Sequence, residues 1–203
     1  MSTAADPSTI IDLLRHGLPE GGSRYRGNRI DDPLSDTGWA QMRAAVGDAA
    51  PWDRLVTSPL QRCHAFAVEL GERHGLPLRV DDRLQEVGFG AWEGRTRDQV
   101  RASDPAGYRA FYADPVNNRP AGAEPLPAFF ARVAGALDTV LHEQAGRHVL
   151  LVAHAGVIRA ALAHALAMDP VTAYRIEVGN ASLTRLRHQG GVFRVDFVNR
   201  AAL

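Results

Sequence analysis

The chain of 203 residues contains no lysine: all 23 of its basic side chains are arginine. That absence excludes a Schiff-base lysine, a pyridoxal-phosphate anchor and the lysine of a P-loop. Any phosphate or carboxylate bound here is held by arginine, histidine or backbone N–H groups. Cysteine is nearly absent too. Cys63 stands alone, so there is no intramolecular disulfide and no C-x-x-C metal or redox pair. At helical spacing within SPLQRCHAF it reads as a packed small residue rather than a catalytic thiol. Neither sign of charge dominates, with 23 acidic side chains against 23 basic ones, so nothing draws the chain to nucleic acid or to an anionic membrane. The longest apolar runs, such as HVLLVAHAGVI, fall short of a bilayer span, and MSTAADPST lacks the parts of a signal peptide. The reading is cytoplasmic, with no membrane partner.

What is present is an alternation of short apolar strands with amphipathic helices. Residues 1–8 read as a disordered end, and residues 9–203 as one domain. TIIDLL, DRLVTS, LPLRV and HVLLVAH are strands, the last the most apolar and therefore central in the sheet. LSDTGWAQMRAAVGDA forms a helix closing near Pro51, and SPLQRCHAFAVELGERHG a second, with Ser58 as N-cap, Pro59 in the first turn and Gly75 at its end. LPAFFARVAGALDTVLHEQAG is the clearest amphipathic helix, with Phe129, Val133, Leu137 and Leu141 on one stripe. Another helix starts at AGVIRAALAHALAM, and YRIEVGNASLTRLRH with GVFRVDFV alternates like a terminal hairpin. NNRPAGAEP, residues 117–125, reads as the least structured stretch, a mobile loop. The pattern predicts a three-layer α/β/α sandwich on a mostly parallel sheet, with functional groups beyond the carboxyl ends of the strands.

Three of those strand ends carry the same kind of residue. One ends in LLRHG, one enters TSPLQRC, and one ends in LLVAHAG. His16, Arg62 and His154 thus converge on one rim, with Arg15 beside them. Two arginines, two histidines and two helix N-termini around one point describe a phosphate or oxyanion pocket. Rival motifs fail. GFGAWEG has Glu93 where a dinucleotide fingerprint needs its third glycine, the other histidines show no H-E-x-x-H spacing, and no G-x-S-x-G occurs.

LLRHG, SPLQR, EVGFGAWEG and VAHAGVIR, in that order, resemble the histidine phosphatase superfamily in its phosphoglycerate-mutase-like branch, over about residues 9–199. The resemblance implies that His16 is a nucleophile forming a phosphohistidine. One ring nitrogen must then be unprotonated while the other donates to a backbone carbonyl. It also implies that Arg15 and Arg62 hold the phosphoryl oxygens and that His154 stabilises their charge. Ser58 and Asn180 would stand in the pocket wall, and Glu86 would be the acid that protonates the leaving alkoxide, with Glu93 as its competitor. Such a site calls for no metal and no cofactor, because arginines supply the charge.

Leu18 after Gly17, and glycines where mutases carry a substrate-contacting Asn, point to a phosphatase rather than a mutase. PEGGSRYRGNRIDDPLSDTGWAQM resembles the bacterial α-ribazole phosphatases of cobalamin nucleotide-loop assembly. Leu18, Ala123 and Pro125 depart from that group's pattern. Arg24, Tyr25, Arg26 and Arg29 offer a basic loop for a second anion or a flat base. The partner implied is a small-molecule phosphate monoester. A phosphoglycerate mutase-type activity, a non-catalytic regulator and a homodimer stay open.

Overall fold

The computed structural model describes residues 7–203. The disordered end expected for residues 1–8 therefore lies, for residues 1–6, outside the described residues. A six-stranded sheet runs β1 (Thr9–Arg15), β2 (Arg54–Thr57), β3 (Leu78–Val80), β4 (His148–Ala153), β5 (Leu183–Gln189) and β6 (Val192–Arg200), in the spatial order β3-β2-β4-β1-β5-β6. β1 with β4, β4 with β2 and β2 with β3 pair in parallel; β5 joins β1 antiparallel, and β6 joins β5 as the expected hairpin. The helices are α1 (Asp36–Val46), α2 (Gln61–His74), α3 (Arg97–Ser103), α4 (Pro105–Ala113), α5 (Leu126–Glu143), α6 (Ala155–Leu166) and α7 (Pro170–Ala173).

Side chains alternate across the sheet, so each strand feeds both layers. Ile11 and Leu13 of β1 pack with Phe129, Val133 and Leu137 of α5 and with Ile158 and Leu162 of α6. Leu14 packs on the other face with Met42 of α1 and Phe66 and Leu70 of α2. Each such side chain taken from water contributes about 1.5–3 kcal/mol, which makes the strand ends a rigid platform. Between β3 and α5 the chain builds a third cluster, in which Trp92, Val100 and Phe111 are buried together with Tyr25 from the loop after β1. No helix among the described residues is long and apolar enough to cross a membrane.

A carboxylate is buried inside this sheet. Asp12 of β1 is fully buried and accepts from Trp52 Nε1 at 2.8 Å, His148 Nε2 at 2.9 Å, and Arg185 Nε and Nη2 at 2.7 and 2.9 Å. Burial pushes its pKa up, but the bonds from His148, Arg185 and Trp52 outweigh that and hold it below 3.8. No local pattern in the sequence signals this cluster.

Two details of α2 differ from expectation. The helix begins at Gln61, so Ser58 is not its N-cap and Pro59 precedes its first turn; Leu60 occupies the cap without a side-chain bond. The N-terminal donor is satisfied from outside, where Gln61 N–H donates to Asp31 Oδ1 at 2.7 Å.

Candidate active site

β1 ends in Arg15 and hands His16 to the loop beyond. The His16 N–H donates to Ala153 O at 3.0 Å, extending the β1–β4 ladder by one residue and fixing the backbone under the imidazole. Its Nδ1 lies 2.7 Å from Gly17 O, which makes Nδ1 the protonated nitrogen and leaves a lone pair on Nε2. Burial holds its pKa well below 6.5, helped by Arg15 and Arg62, so the ring is neutral. The next residues are clamped to α1. Leu18 N–H donates to Gln41 Oε1 at 2.9 Å, and Leu18 O accepts from Ser35 N–H and Oγ–H at 3.0 and 2.7 Å. The backbones approach so closely that a Cβ on Gly17 would strike Gly38 O, and one on Gly38 would strike Leu18 O.

The second strand end contributes Arg62, only 1 % exposed. Its Nη1 and Nη2 donate to Ile30 O and Gly27 O, both at 2.9 Å, while its Nε is buried with no partner. Arg15 is built alike: Nη1 donates to Val178 O at 2.7 Å, and Nε is buried and unpartnered. Burial lowers the Arg15 pKa to about 10, still far above neutrality. His154 follows β4, with its ring 5.2 Å from that of His16. It is completely buried, and burial followed by Arg62 pushes its pKa well below 6.5. Ser58 Oγ stands 2.8 Å from His154 Nε2, so Ser58 supports this histidine instead of capping a helix. Cys63 is fully buried behind them, donating to Ala153 O at 3.2 Å, and burial raises its thiol pKa.

Glu86 and Glu93 part company. Glu86 reaches the site, its Oε1 accepting from Val87 N–H at 2.9 Å and its Oε2 from Gly156 N–H, near the start of α6, at 3.2 Å. A Cβ at Gly156 would occupy the carboxylate's place. Glu93 turns away: Oε1 accepts from Phe89 N–H at 2.8 Å and lies against Gly27. The helix N-termini thus spend donors on protein carboxylates, Asp31 for α2 and Glu86 for α6. The positive field comes from arginine.

A cleft of about 910 Å³ opens over His16. Eight of the ten site residues expected from sequence line it, including Asn180; His154 and Ser58 stand behind. Arg24, Tyr25 and Arg26 border the cleft as expected, each with polar atoms already engaged within the protein. Arg24 folds onto Gly21 O at 2.5 Å, Tyr25 Oη pairs with Tyr112 Oη at 2.8 Å, and Arg26 is tied to Asp32, Glu20 O and Gly22 O. Two cations missed in the sequence join them on the wall, Arg97 and Arg159. Arg97 opens α3 behind a Thr96–Gln99 capping box, and T-x-x-Q within GRTRDQV was the available signal. Arg159 lies over the Tyr174 ring at 5.4 Å. Residues 117–125 are irregular as expected but pinned, with Arg119 donating to Gly88 O and Glu124 O at 2.7 and 3.1 Å. Among the described residues no cluster of His, Cys, Asp or Glu is arranged to hold a metal.

The model of the histidine phosphatase superfamily, branch 1, matches residues 11–201. The chain belongs to that superfamily. The chain is 38% identical over 189 residues to a glucosyl-3-phosphoglycerate phosphatase of Mycobacterium tuberculosis, covering 86% of its own length and 83% of the relative's. The solved mycobacterial glucosyl-3-phosphoglycerate phosphatase superposes with a TM-score of 0.83 at 33% identity, over 95% of this chain and 99% of that one. An α-ribazole phosphatase from Shigella flexneri has a TM-score of 0.80 at 24% identity, over 96% and 98% of the two chains, which is a likeness of fold. The chain spans about half the length, 49%, of other curated relatives that it matches at 35% identity.

Proposed function

We propose that the chain is a metal-independent phosphomonoesterase working through a phosphohistidine on His16, and that its substrate is a small phosphate ester whose alcohol carries a second anionic group. One observation carries the first half. Arg15 and Arg62 each keep a buried, unpartnered Nε–H while lining the same cleft as His16. Orphan charged donors are costly in a protein interior unless a ligand completes them, and two such donors beside a neutral imidazole fit a phosphoryl group.

In the first step His16 Nε2 attacks phosphorus, the P–N bond forms and the ester P–O bond breaks. The Glu86 carboxyl gives its proton to the leaving alkoxide. In the second step the Glu86 carboxylate takes a proton from water, whose oxygen attacks phosphorus, releasing phosphate and restoring His16. Arg15, Arg62 and His154 would hold the charge on the equatorial oxygens throughout.

The second half rests on Arg97 and Arg159, two guanidinium groups on the wall. A phosphoglycerate-type ester, with a carboxylate near the phosphate, matches them, and the relatives at 33–38% identity are named for glucosyl-3-phosphoglycerate. α-Ribazole phosphate is the second reading, favoured by Phe89, Phe111, Tyr112 and Tyr174, which offer a flat base a face to stack on. The test is a turnover screen in the presence of chelator, with phosphoglycerates and their glycosyl esters, α-ribazole phosphate, nucleotides and sugar phosphates. Phosphate release with preference for the anionic esters supports the proposal. Preference for α-ribazole phosphate replaces its second half, isomerisation of phosphoglycerate points to a mutase, and a strict metal requirement ends the mechanism.

A further inference from the structure

The segment that delivers Glu86 has almost no regular structure of its own. After the single 3₁₀ turn at Asp82–Leu84, the chain runs through Gln85–Gly88 as coil, outside any sheet ladder. Three carbonyls along residues 83–86 are nevertheless held by one side chain. Arg132 of α5 donates from Nη1 to Arg83 O at 2.6 Å and Gln85 O at 2.8 Å, and from Nη2 to Glu86 O at 3.3 Å. Its remaining donors meet Glu124, Nε to Oε1 at 2.8 Å and Nη2 to Oε2 at 2.9 Å. Glu124 completes the bracket: Oε2 accepts from Gly88 N–H at 3.1 Å, and its own N–H donates to Gly88 O at 3.1 Å. The guanidinium lies 4.6 Å from the Phe129 ring, on the buried stripe of α5, so it is anchored to the core.

One ion pair thus holds the main chain on both sides of Glu86, with Arg119 adding a bond to Gly88 O. A bidentate Arg–carboxylate pair has a fixed fork geometry, and here the same fork spans both sides of the acid, residues 83–86 through Arg132 and Gly88 through Glu124. The carboxylate itself touches only two backbone amides, Val87 and Gly156. Its aim into the cleft is therefore set by the main chain beneath it.

We propose that Arg132 and Glu124 are positioning residues for proton donation, the pair holding the 83–88 main chain so that the Glu86 carboxyl reaches the leaving oxygen. The inference rests on Glu86 being the acid, and it goes beyond that assignment by placing the control of this step on a pair outside the cleft lining. The step affected is protonation of the departing alkoxide as the P–O bond breaks; attack by His16 and the grip of Arg15 and Arg62 are left alone. Displacement of a catalytic group by about 1 Å costs on the order of 10²-fold, and general acid catalysis contributes roughly 10²- to 10⁴-fold, so the loss falls mainly on esters that need the proton.

The experiment compares kcat and KM for 3-phosphoglycerate, whose glycerate leaves as an alkoxide, and for p-nitrophenyl phosphate, whose phenolate leaves unaided. It uses the wild type, Glu86→Gln, Arg132→Met and Glu124→Gln. In Arg132→Met, kcat for 3-phosphoglycerate is expected to fall roughly 10- to 100-fold, while that for the aryl ester changes less than about three-fold and both KM values hold. Equal losses on the two esters, or a change confined to KM, would overturn the inference and leave the pair a structural tie. Glu86→Gln separates the two failures. If it shows the leaving-group split and Arg132→Met does not, only the positioning inference falls; if Glu86→Gln slows both esters alike, the acid assignment falls. Should Arg132→Met not fold, Glu124→Gln carries the test, because it keeps the three carbonyl bonds of Arg132; the same split at smaller amplitude supports the inference, and its absence overturns it.

Discussion

Two clusters of arginine, histidine and carboxylate are built on β1, one around Asp12 inside the strand and one around His16 just past its end, and they treat charge in opposite ways. Around Asp12, four donors from Trp52, His148 and Arg185 converge on one carboxylate. Around His16, two arginines retain buried donors with no acceptor, and two histidines are kept neutral by burial among cations. The first cluster is closed, and its charges are already compensated. The second is electrostatically unfinished, and an incoming phosphate dianion would complete it. Residue type does not distinguish the two. Saturation of donors and acceptors does.

Substitution separates the clusters most sharply. His16→Ala should abolish turnover, by more than roughly 10⁴-fold, along with any acid-labile phosphoenzyme, while leaving the melting temperature close to that of the wild type. Residual turnover within 100-fold of wild type would show that His16 is not the nucleophile. Asp12→Ala should do the reverse. Stranding His148 and Arg185 costs about 3–5 kcal/mol in chemical denaturation, with kcat per folded molecule unchanged. A loss of kcat in the folded fraction would break the comparison.

Acidity offers a gentler separation. The folded pKa of His16 and that of His154 lie below the ordinary 6.5, so below pH 6.5 the unfolded chain binds more protons than the folded one. Stability should therefore decline as pH falls through 6.5 toward the depressed folded values. Asp12, held below 3.8, keeps its contribution until the pH falls below 3.8. Denaturation followed between those limits should give a slope that His16→Ala flattens and Asp12→Ala does not. An unchanged slope in His16→Ala would mean that this ring is not buried neutral.

The strands, most helices and the convergence of LLRHG, TSPLQRC and LLVAHAG on one rim were legible, because apolar runs and strand ends are local features of a chain. Groups whose role depends on what they touch were not. Arg24 and Arg26 look as available in sequence as Arg97, yet Arg26 is consumed by Asp32 and two carbonyls while Arg97 borders the cleft. Ser58 beside Pro59 has the pattern of a helix start, but the helix waits for Gln61, and the hydroxyl meets a histidine 96 positions away. Asp12 is one polar residue in an apolar strand, and its partners arrive from the ends of three other segments. The 117–125 stretch has the composition of a free loop and is tied by Arg119 and Glu124, a pairing that no local pattern encodes.

The contact between Gly17 and Gly38 also bears on how such a site can evolve. Every other amino acid adds a Cβ, and at either position that atom would meet a carbonyl oxygen of the opposite segment. Backbone does not yield as a flexible side chain does, so neither position has a tolerated neighbour in sequence space, and a change at one cannot be rescued by a change at the other. Variation in this chain is therefore channelled away from the immediate support of His16 and toward the far wall of the cleft, where Arg97 and Tyr112 can be exchanged without moving that ring. New specificities would arise there, on a chemical core that mutation leaves fixed.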